Sequence, residues 1–448
     1  WNFAKNTVLR VGFGVYYGKT SNSVYFALRD QNGVVQQTFN CSPTSSAAIC
    51  GTLTFPNVLF PLTGLGPGAP FSSPTLGGAN GSQPLATQVL GQSGNVCQIT
   101  TSCEIRGMDP NFVNPRADEG EVTLERQLPG NMSLSASYLL TRGLHLPGVI
   151  DANVAPSTAN RTYDITNAAG AITNTVTVPF YNARLNPTVG VILVDKSVIN
   201  SWYNAMVLSL RKPFSQDFEL LANYTLSKST DDGAATGTGG TFQGTDGVLD
   251  PYNLRGESGR SDLDQRNRFV ASAVWSPSHF KNSSNRYEKA MLNGWSLSGI
   301  LLVSNGSPYS AFIQTSTVPS LGGLTPLDGG LTGGVVQTQG VALGGHANWL
   351  PRNGYDLPHI TNIDVRLSRQ INIHERYGFE IRAEAFNLLN STIVTGVNTN
   401  AFAVSTTGGC AGMAVTCLAP VSTFQSPSTT TSILYGPRQL QFGARFDF

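Results

Sequence analysis

Charge is the scarcest ingredient of this chain: of 448 residues only 12% are Asp, Glu, Lys or Arg, and the formal net charge is +1. Globular domains carry roughly a quarter charged residues, so much of this surface is not the usual solvated, salt-bridged exterior. Without a basic excess there is no positive stripe for a nucleic-acid partner. Long apolar runs are missing too. No window approaches the ~18 continuous apolar residues of a membrane helix, so any crossing of a membrane is made by strands. The chain opens on Trp1, with no initiator Met, basic leader or apolar leader core, and we expect a fragment or mature piece whose beginning lies elsewhere.

Catalytic signatures are equally scarce. His145, His279, His346, His359 and His374 are scattered over connections and turns, with no HExxH pair, no GxSxG elbow and no Ser set beside a His and an acid. We expect no enzyme activity and no cofactor. The glycine-rich stretch Gly233 to Gly247 lacks the Lys-Ser/Thr ending of a phosphate loop and reads as a connection. Asp231, Asp232, Asp246, Asp250, Asp262 and Asp264 offer oxygens to calcium, but no EF-hand spacing orders them. The six cysteines form three near pairs, Cys41 with Cys50, Cys97 with Cys103 and Cys410 with Cys417. Zinc requires tighter spacing or accompanying histidines. Local disulfides in an oxidising space are the expectation, with free thiols or metal as the alternatives.

What the chain does have is alternation. At its end Leu440, Phe442, Ala444, Phe446 and Phe448 fall on one side of an extended strand, and Gln439, Gln441, Gly443, Arg445 and Asp447 on the other. The pattern recurs in Leu9 to Tyr17, in Val122 to Leu128 and Met132 to Leu140 around Pro129-Gly130, and in Met206 to Leu210 and Phe218 to Leu226. It returns in Phe269 to Trp275, Trp295 to Val303, Ile363 to Leu367 and Phe379 to Ala385. Arg126 lies on an apolar side near a turn, where a long side chain can snorkel. Between these strands, short turns alternate with long Gly/Ser/Thr-rich connections, Lys19 to Arg116 being the longest. We read Lys19 to Arg116 as without sustained periodicity of its own, and the link from Trp275 to Trp295 as a turn of roughly fifteen polar residues.

About ten strands with this asymmetry predict an all-β, antiparallel transmembrane β-barrel, with short periplasmic turns and long extracellular loops. Aromatics mark two girdles: Tyr17, Tyr138, Trp202, Tyr203 and Tyr224 at long-loop ends, and Trp275, Trp295, Phe379 and Phe448 at short-turn ends. A soluble β-sandwich, propeller or solenoid explains any one strand but not the loop asymmetry and low charge together. Candidate functional residues are the charges on the polar faces: Arg10, Glu121, Glu125, Glu219, Arg366, Glu380, Arg382, Glu384 and Arg445. They pair across strands, hold a plug, or touch a passing substrate; cross-strand pairing is the plainer reading.

The run Arg382 to Asn390 (RAEAFNLLN) resembles the penultimate-strand signature of TonB-dependent outer-membrane receptors, especially the large Oar-like group with a carboxypeptidase-regulatory-like domain. Leu124 to Pro129, Tyr203 to Arg211, Tyr224 to Lys228, Asp264 to Phe269 and the terminal strand are similar to the same group. Asn267 departs from it, standing where an aromatic-flanked His is common. The resemblance implies a barrel of about 22 strands around a globular plug, in the outer membrane of a Gram-negative bacterium, energised by a TonB complex through an N-terminal box. Residues 1–448 would then be the C-terminal part of such a barrel, with plug and box outside this chain. The alternative is a small barrel closed by eight to ten of its own strands, since even-numbered barrels begin at about eight.

The function implied is active uptake of a bulky nutrient, whether oligosaccharide, peptide or metal chelate; the extracellular substrate itself is not legible. A passive porin or an adhesin-type structural barrel is the other reading. The implied partners are outer-membrane lipid, the plug, the TonB complex and the barrel assembly machinery. The last of these would recognise the terminal strand through Phe442, Phe446 and Phe448.

Overall fold

The computed structural model describes residues 4–20, 25, 59–60, 75–76, 104–187, 191–233, 250–278, 285–314, 346–347, 349–374, 377–404, 417–430 and 436–448. Ten strands make its wall: β1 Thr7–Tyr17, β2 Arg116–Leu128, β3 Met132–Asp151, β4 Val191–Ser215 and β5 Phe218–Asp231. They continue as β6 Asn267–Trp275, β7 Trp295–Ser304, β8 Ile360–His374, β9 Tyr377–Phe386 and β10 Gln439–Asp447. Each pairs antiparallel with the next in sequence, giving one unbroken meander from β1 to β10. Glu104–Met108 adds in parallel to β4, and Gly259–Arg260 adds to the tip of β5.

The register carries the alternation from strand to strand. Leu9, Leu124, Ala136, Leu208, Tyr224, Phe269 and Val303 lie side by side across β1 to β7. Nearer the short turns, Phe218, Trp275, Leu297, Leu367, Ala383 and Phe442 make an equivalent row from β5 to β10. Because a strand's side chains have a period of two, a slip by one residue would turn every one of these rows over. Among the described residues nothing covers this apolar face: Val11 is 70% exposed, Phe13 74% and Phe442 78%. So continuous an apolar surface is tolerable only against another apolar phase. In a membrane β-barrel that phase is lipid.

Local chemistry sets the short turns. Ser215 faces Phe218 across the two-residue loop Gln216-Asp217, both at positive φ, as a twist-matched hairpin requires. At the β2–β3 turn, Gly130 and Asn131 supply the positive φ. Between β6 and β7 the sequence led us to expect a polar turn, but the structure contains a helix, Arg286–Leu292, capped by the Asn285 side chain. Helical spacing over seven residues between two strands is too short to stand out from a strand-dominated pattern.

The wall contains none of the main hydrophobic core. That core is made of Tyr163, Ile165 and Val178 from the β3–β4 connection, Ile313 and Ala347 from β7–β8, and Leu418 from β9–β10. Three long connections thus fold together at one end of the wall, through a five-stranded mixed sheet. Its order is Phe312–Gln314, Asn400–Val404, Cys417–Pro420, Ala159–Thr166 and Ile172–Phe180. The sequence reading places no strands in these three connections. In Ala159–Thr166, Tyr163 and Ile165 turn inward while Thr162 and Asp164 pair outward with Thr177 and Thr175. The Asn167 carboxamide oxygen accepts from the amides of Ala169 and Ala171, closing the hairpin at Gly170, whose φ is +85°.

Candidate functional site: the polar wall and the loop cap

The polar face of the wall is a lattice of paired charges and hydroxyls. Arg10 on β1 reaches diagonally to Glu125 on β2 at 3.0 Å. Glu121 accepts from Thr123, whose hydroxyl also meets Ser137 on β3 at 2.7 Å. Arg366 on β8 lies directly opposite Glu384 on β9, with its Nε donating at 2.6 Å. Arg382 stands 4.0 Å from the other oxygen of the same carboxylate. Glu380 sits between Gln370 and Arg445 in register, and Arg445 bonds Asp447. Glu219 faces Val274 across the β5–β6 pair, and among the described residues no cation reaches it. Cross-strand pairing therefore accounts for Arg10, Glu125, Arg366 and Glu384, while Arg382 approaches Glu384 along its own strand, and the residues form no single cluster.

The opposite, apolar face holds cations that sequence reasoning mostly missed. Arg126 lies in register with Leu134, as expected from its position. Lys212 sits over the Phe218 ring, and the Arg369 guanidinium lies 5.2 Å from the Trp295 centroid. All three are near short turns, where a cation can rest on an aromatic and still reach water. Tyr203 is a correction: it pairs with Thr141 and Ser229 on the polar face, so the outward girdle residue at that level is Trp202. Asn267 accepts the Tyr224 hydroxyl at 2.7 Å and donates to the Asn305 side chain, tying β5 to the end of β7.

Polar groups join the cap to the wall. Arg352, from the β7–β8 connection, is buried and ion-paired with Asp231 at the tip of β5. Arg260 bridges Asp264 at 2.9 Å and Asp356 at 2.7 Å, and these two carboxylates hold its guanidinium above the ordinary range. Gly259 leaves little room here, since a Cβ would meet the Arg352 Cβ at 3.0 Å. Asn353 donates to the Arg260 carbonyl and to Asp262. Asp232 accepts from Asn200 and Ser258, and Asp250 from the Tyr181 hydroxyl at 2.6 Å. The aspartates considered for calcium thus tie one loop to another, and the described residues hold no acid or His cluster arranged for a metal. Asp246 and the glycine-rich stretch beyond Gly233 lie outside the described residues.

Three titratable groups report how dry the cap is. His346, bridged to Phe312, is pushed down to about 4 by burial and by Arg352. Burial raises the Tyr163 phenol to about 12, and among the described residues that hydroxyl has no hydrogen-bond partner. Burial and the Asp250 carboxylate together raise Tyr181. Cys417, 1% exposed, is in a disulfide. Cys41, Cys50, Cys97, Cys103 and Cys410 lie outside the described residues, as does His279.

A family model described as an outer membrane beta barrel domain matches residues 1–441. Among curated proteins none matches. Solved structures of similar shape include the ferripyoverdine receptor FpvA of Pseudomonas aeruginosa, at 10% identity and TM-score 0.35, covering 75% of this chain and 28% of that one. The outer membrane transporter YddB from Escherichia coli follows at 10% identity and TM-score 0.34, covering 67% and 32%. BauA, the ferric preacinetobactin receptor of Acinetobacter baumannii, has 12% identity and TM-score 0.33, covering 75% and 30%. The chain spans about a third or less of the length of each.

Proposed function

From a chain that belongs to the outer membrane beta barrel domain family, and so lies in the outer membrane of a Gram-negative bacterium, we propose the following reading. Residues 1–448 are the C-terminal part of a TonB-dependent receptor barrel of the Oar-like kind, taking up a bulky nutrient: an oligosaccharide, a peptide or a metal chelate. The observation that carries this reading is the folded cap. Three connections share one hydrophobic core and one sheet, a rigid extracellular surface suited to capturing a large ligand. A passive porin needs only a constriction. The second reading, a porin or adhesin-type barrel, rests on the paired charges of the polar wall, which serve any of the three.

Two edges support a larger barrel. Among the described residues β1 and β10 do not pair with each other, and lipid tolerates no open sheet edge. Further strands of a longer chain, about 22 in all by the resemblance, would close the wall around a plug that engages TonB. Tyr377, Phe446 and Phe448 stack at the short-turn end. With Phe442 they fit a terminal strand that pairs with the assembly machinery by β-augmentation. Phe448→Asp should then lower the amount of folded receptor on heat-modifiability gels without changing ligand affinity per folded molecule.

The test of function is energy dependence. Cells carrying the full-length receptor should accumulate its ligand, and a protonophore should abolish accumulation while leaving surface binding intact. Solute flux through the protein in liposomes without any energy source would support the porin. Binding with no uptake under any condition would support the adhesin.

A further inference from the structure

The helix Arg286–Leu292 sits in the connection between β6 and β7, the longest of those at the short-turn end. A seven-residue helix is not stable alone in water, so its anchorage decides where it lies. The Trp295 indole Nε1 donates to the Met291 carbonyl at 2.9 Å. Trp295 belongs to the apolar face of the wall: it pairs with Arg369 one register step beyond the Leu297–Leu367 row, and the Arg369 guanidinium lies over its ring. The helix backbone is therefore fastened to a lipid-facing girdle residue rather than to the polar lining. Gly294, at φ +82°, fixes the exit, because its carbonyl accepts from the Gln370 amide and a Cβ there would strike the Gln370 carbonyl. Asn285 caps the start through the Tyr287 amide and donates to Glu288.

So held, the helix presents an apolar pair that no other described residue covers. Tyr287 and Met291 lie one helical turn apart on the same side, 79% and 66% exposed, and Leu292 next in sequence is exposed as well. We propose that this helix is a membrane-surface anchor, lying in the phospholipid headgroup layer at the short-turn end with Tyr287 and Met291 turned into the lipid. The occupant follows from continuity with the established lipid face. The indole N–H of a girdle tryptophan marks the level where hydrocarbon gives way to water, and that N–H is the group that holds the helix. Short amphipathic segments lie in this plane with their apolar side down.

Site-specific photo-cross-linking tests the proposal in the complete receptor assembled in outer membranes. A benzophenone amino acid replaces Tyr287 or Met291 in turn. Leu297, on the lipid-facing row, is the positive control, and Ser298, on the polar face, is the background. Both helix residues are exposed, and heat-modifiable mobility confirms assembly of each variant. Lipid adducts at Tyr287 and Met291 should approach the Leu297 yield and exceed the Ser298 yield several-fold. A discrete protein adduct at these positions would make the helix a docking site for a periplasmic protein and overturn the proposal. Yields at the Ser298 background would overturn it as well.

Discussion

Glu384 on β9 is only 8% exposed, and Arg366, directly opposite on β8, donates to it at 2.6 Å. A carboxylate so nearly buried depends on that partner, because an unsatisfied buried acceptor costs about 1–3 kcal/mol. Arg366→Ala should therefore destabilise the barrel by about that much, with Arg382 too distant to compensate fully. Arg10→Ala removes a guanidinium that is two-thirds exposed from a surface-type pair, and should cost no more than about 1 kcal/mol. Urea titrations of the two variants in detergent, followed by heat-modifiable mobility, compare them; equal midpoints would contradict the ranking.

Tyr163 gives a prediction of opposite sign. Its hydroxyl is buried without a partner among the described residues, so Tyr163→Phe should be neutral or stabilising by up to about 1 kcal/mol. Leu418→Ala, at a fully buried position of the same core, should cost about 2–5 kcal/mol. The loss should appear as protease sensitivity of the cap connections while the wall stays heat-modifiable.

Acid should loosen the cap. The His346 pKa is lowered from its ordinary 6.5 to about 4 in the folded state, so the unfolded cap binds the extra proton first as the pH falls. Stability is full above pH 6.5, declines between 6.5 and about 4, and is lost by at most about 3 kcal/mol below that, at 1.36 kcal/mol per unit. Thermal unfolding of the cap should shift across this window in the wild type and flatten in His346→Phe. An unchanged slope in that variant would assign the effect to other groups.

The disulfide at Cys417 should close a small local loop with Cys410, the spacing that an oxidising exterior favours. Peptide mapping without reduction should recover that pair, together with Cys41–Cys50 and Cys97–Cys103. A Cys417 cross-linked to any other cysteine would contradict this pairing. Reduction should loosen the Cys417–Pro420 strand and with it the centre of the cap sheet.

The wall was legible in the sequence because a single constraint governs every strand: one side to lipid, the other to polar surroundings. Leu9, Leu124, Ala136 and Leu208 announce their common row by alternation alone. The cap was not legible, because its strands are short and come from three distant connections, so each strand contributes no more than two residues to the buried core. Tyr163, Ile165, Val176 and Val178 did carry a readable hairpin signal around Asn167 to Gly170, obscured by its setting in a long Ser/Thr-rich connection. The candidate charges share the polar face of the wall. Their partners were not predictable, since Arg10 pairs diagonally with Glu125 while Arg366 pairs straight across.

The central claim is that one face of every wall strand meets lipid, and β3 offers its most direct test. Single cysteines from Ser133 to Leu140, in the receptor assembled in membranes, are treated with a water-soluble thiol reagent and then with a lipid-soluble one. Ser133, Ser135, Ser137 and Leu139 lie on the polar side, and Leu134, Ala136, Tyr138 and Leu140 on the apolar side. The account predicts alternation, with the water-soluble reagent favouring the first set and the lipid-soluble reagent the second. Equal labelling of both sets by the water-soluble reagent would contradict it.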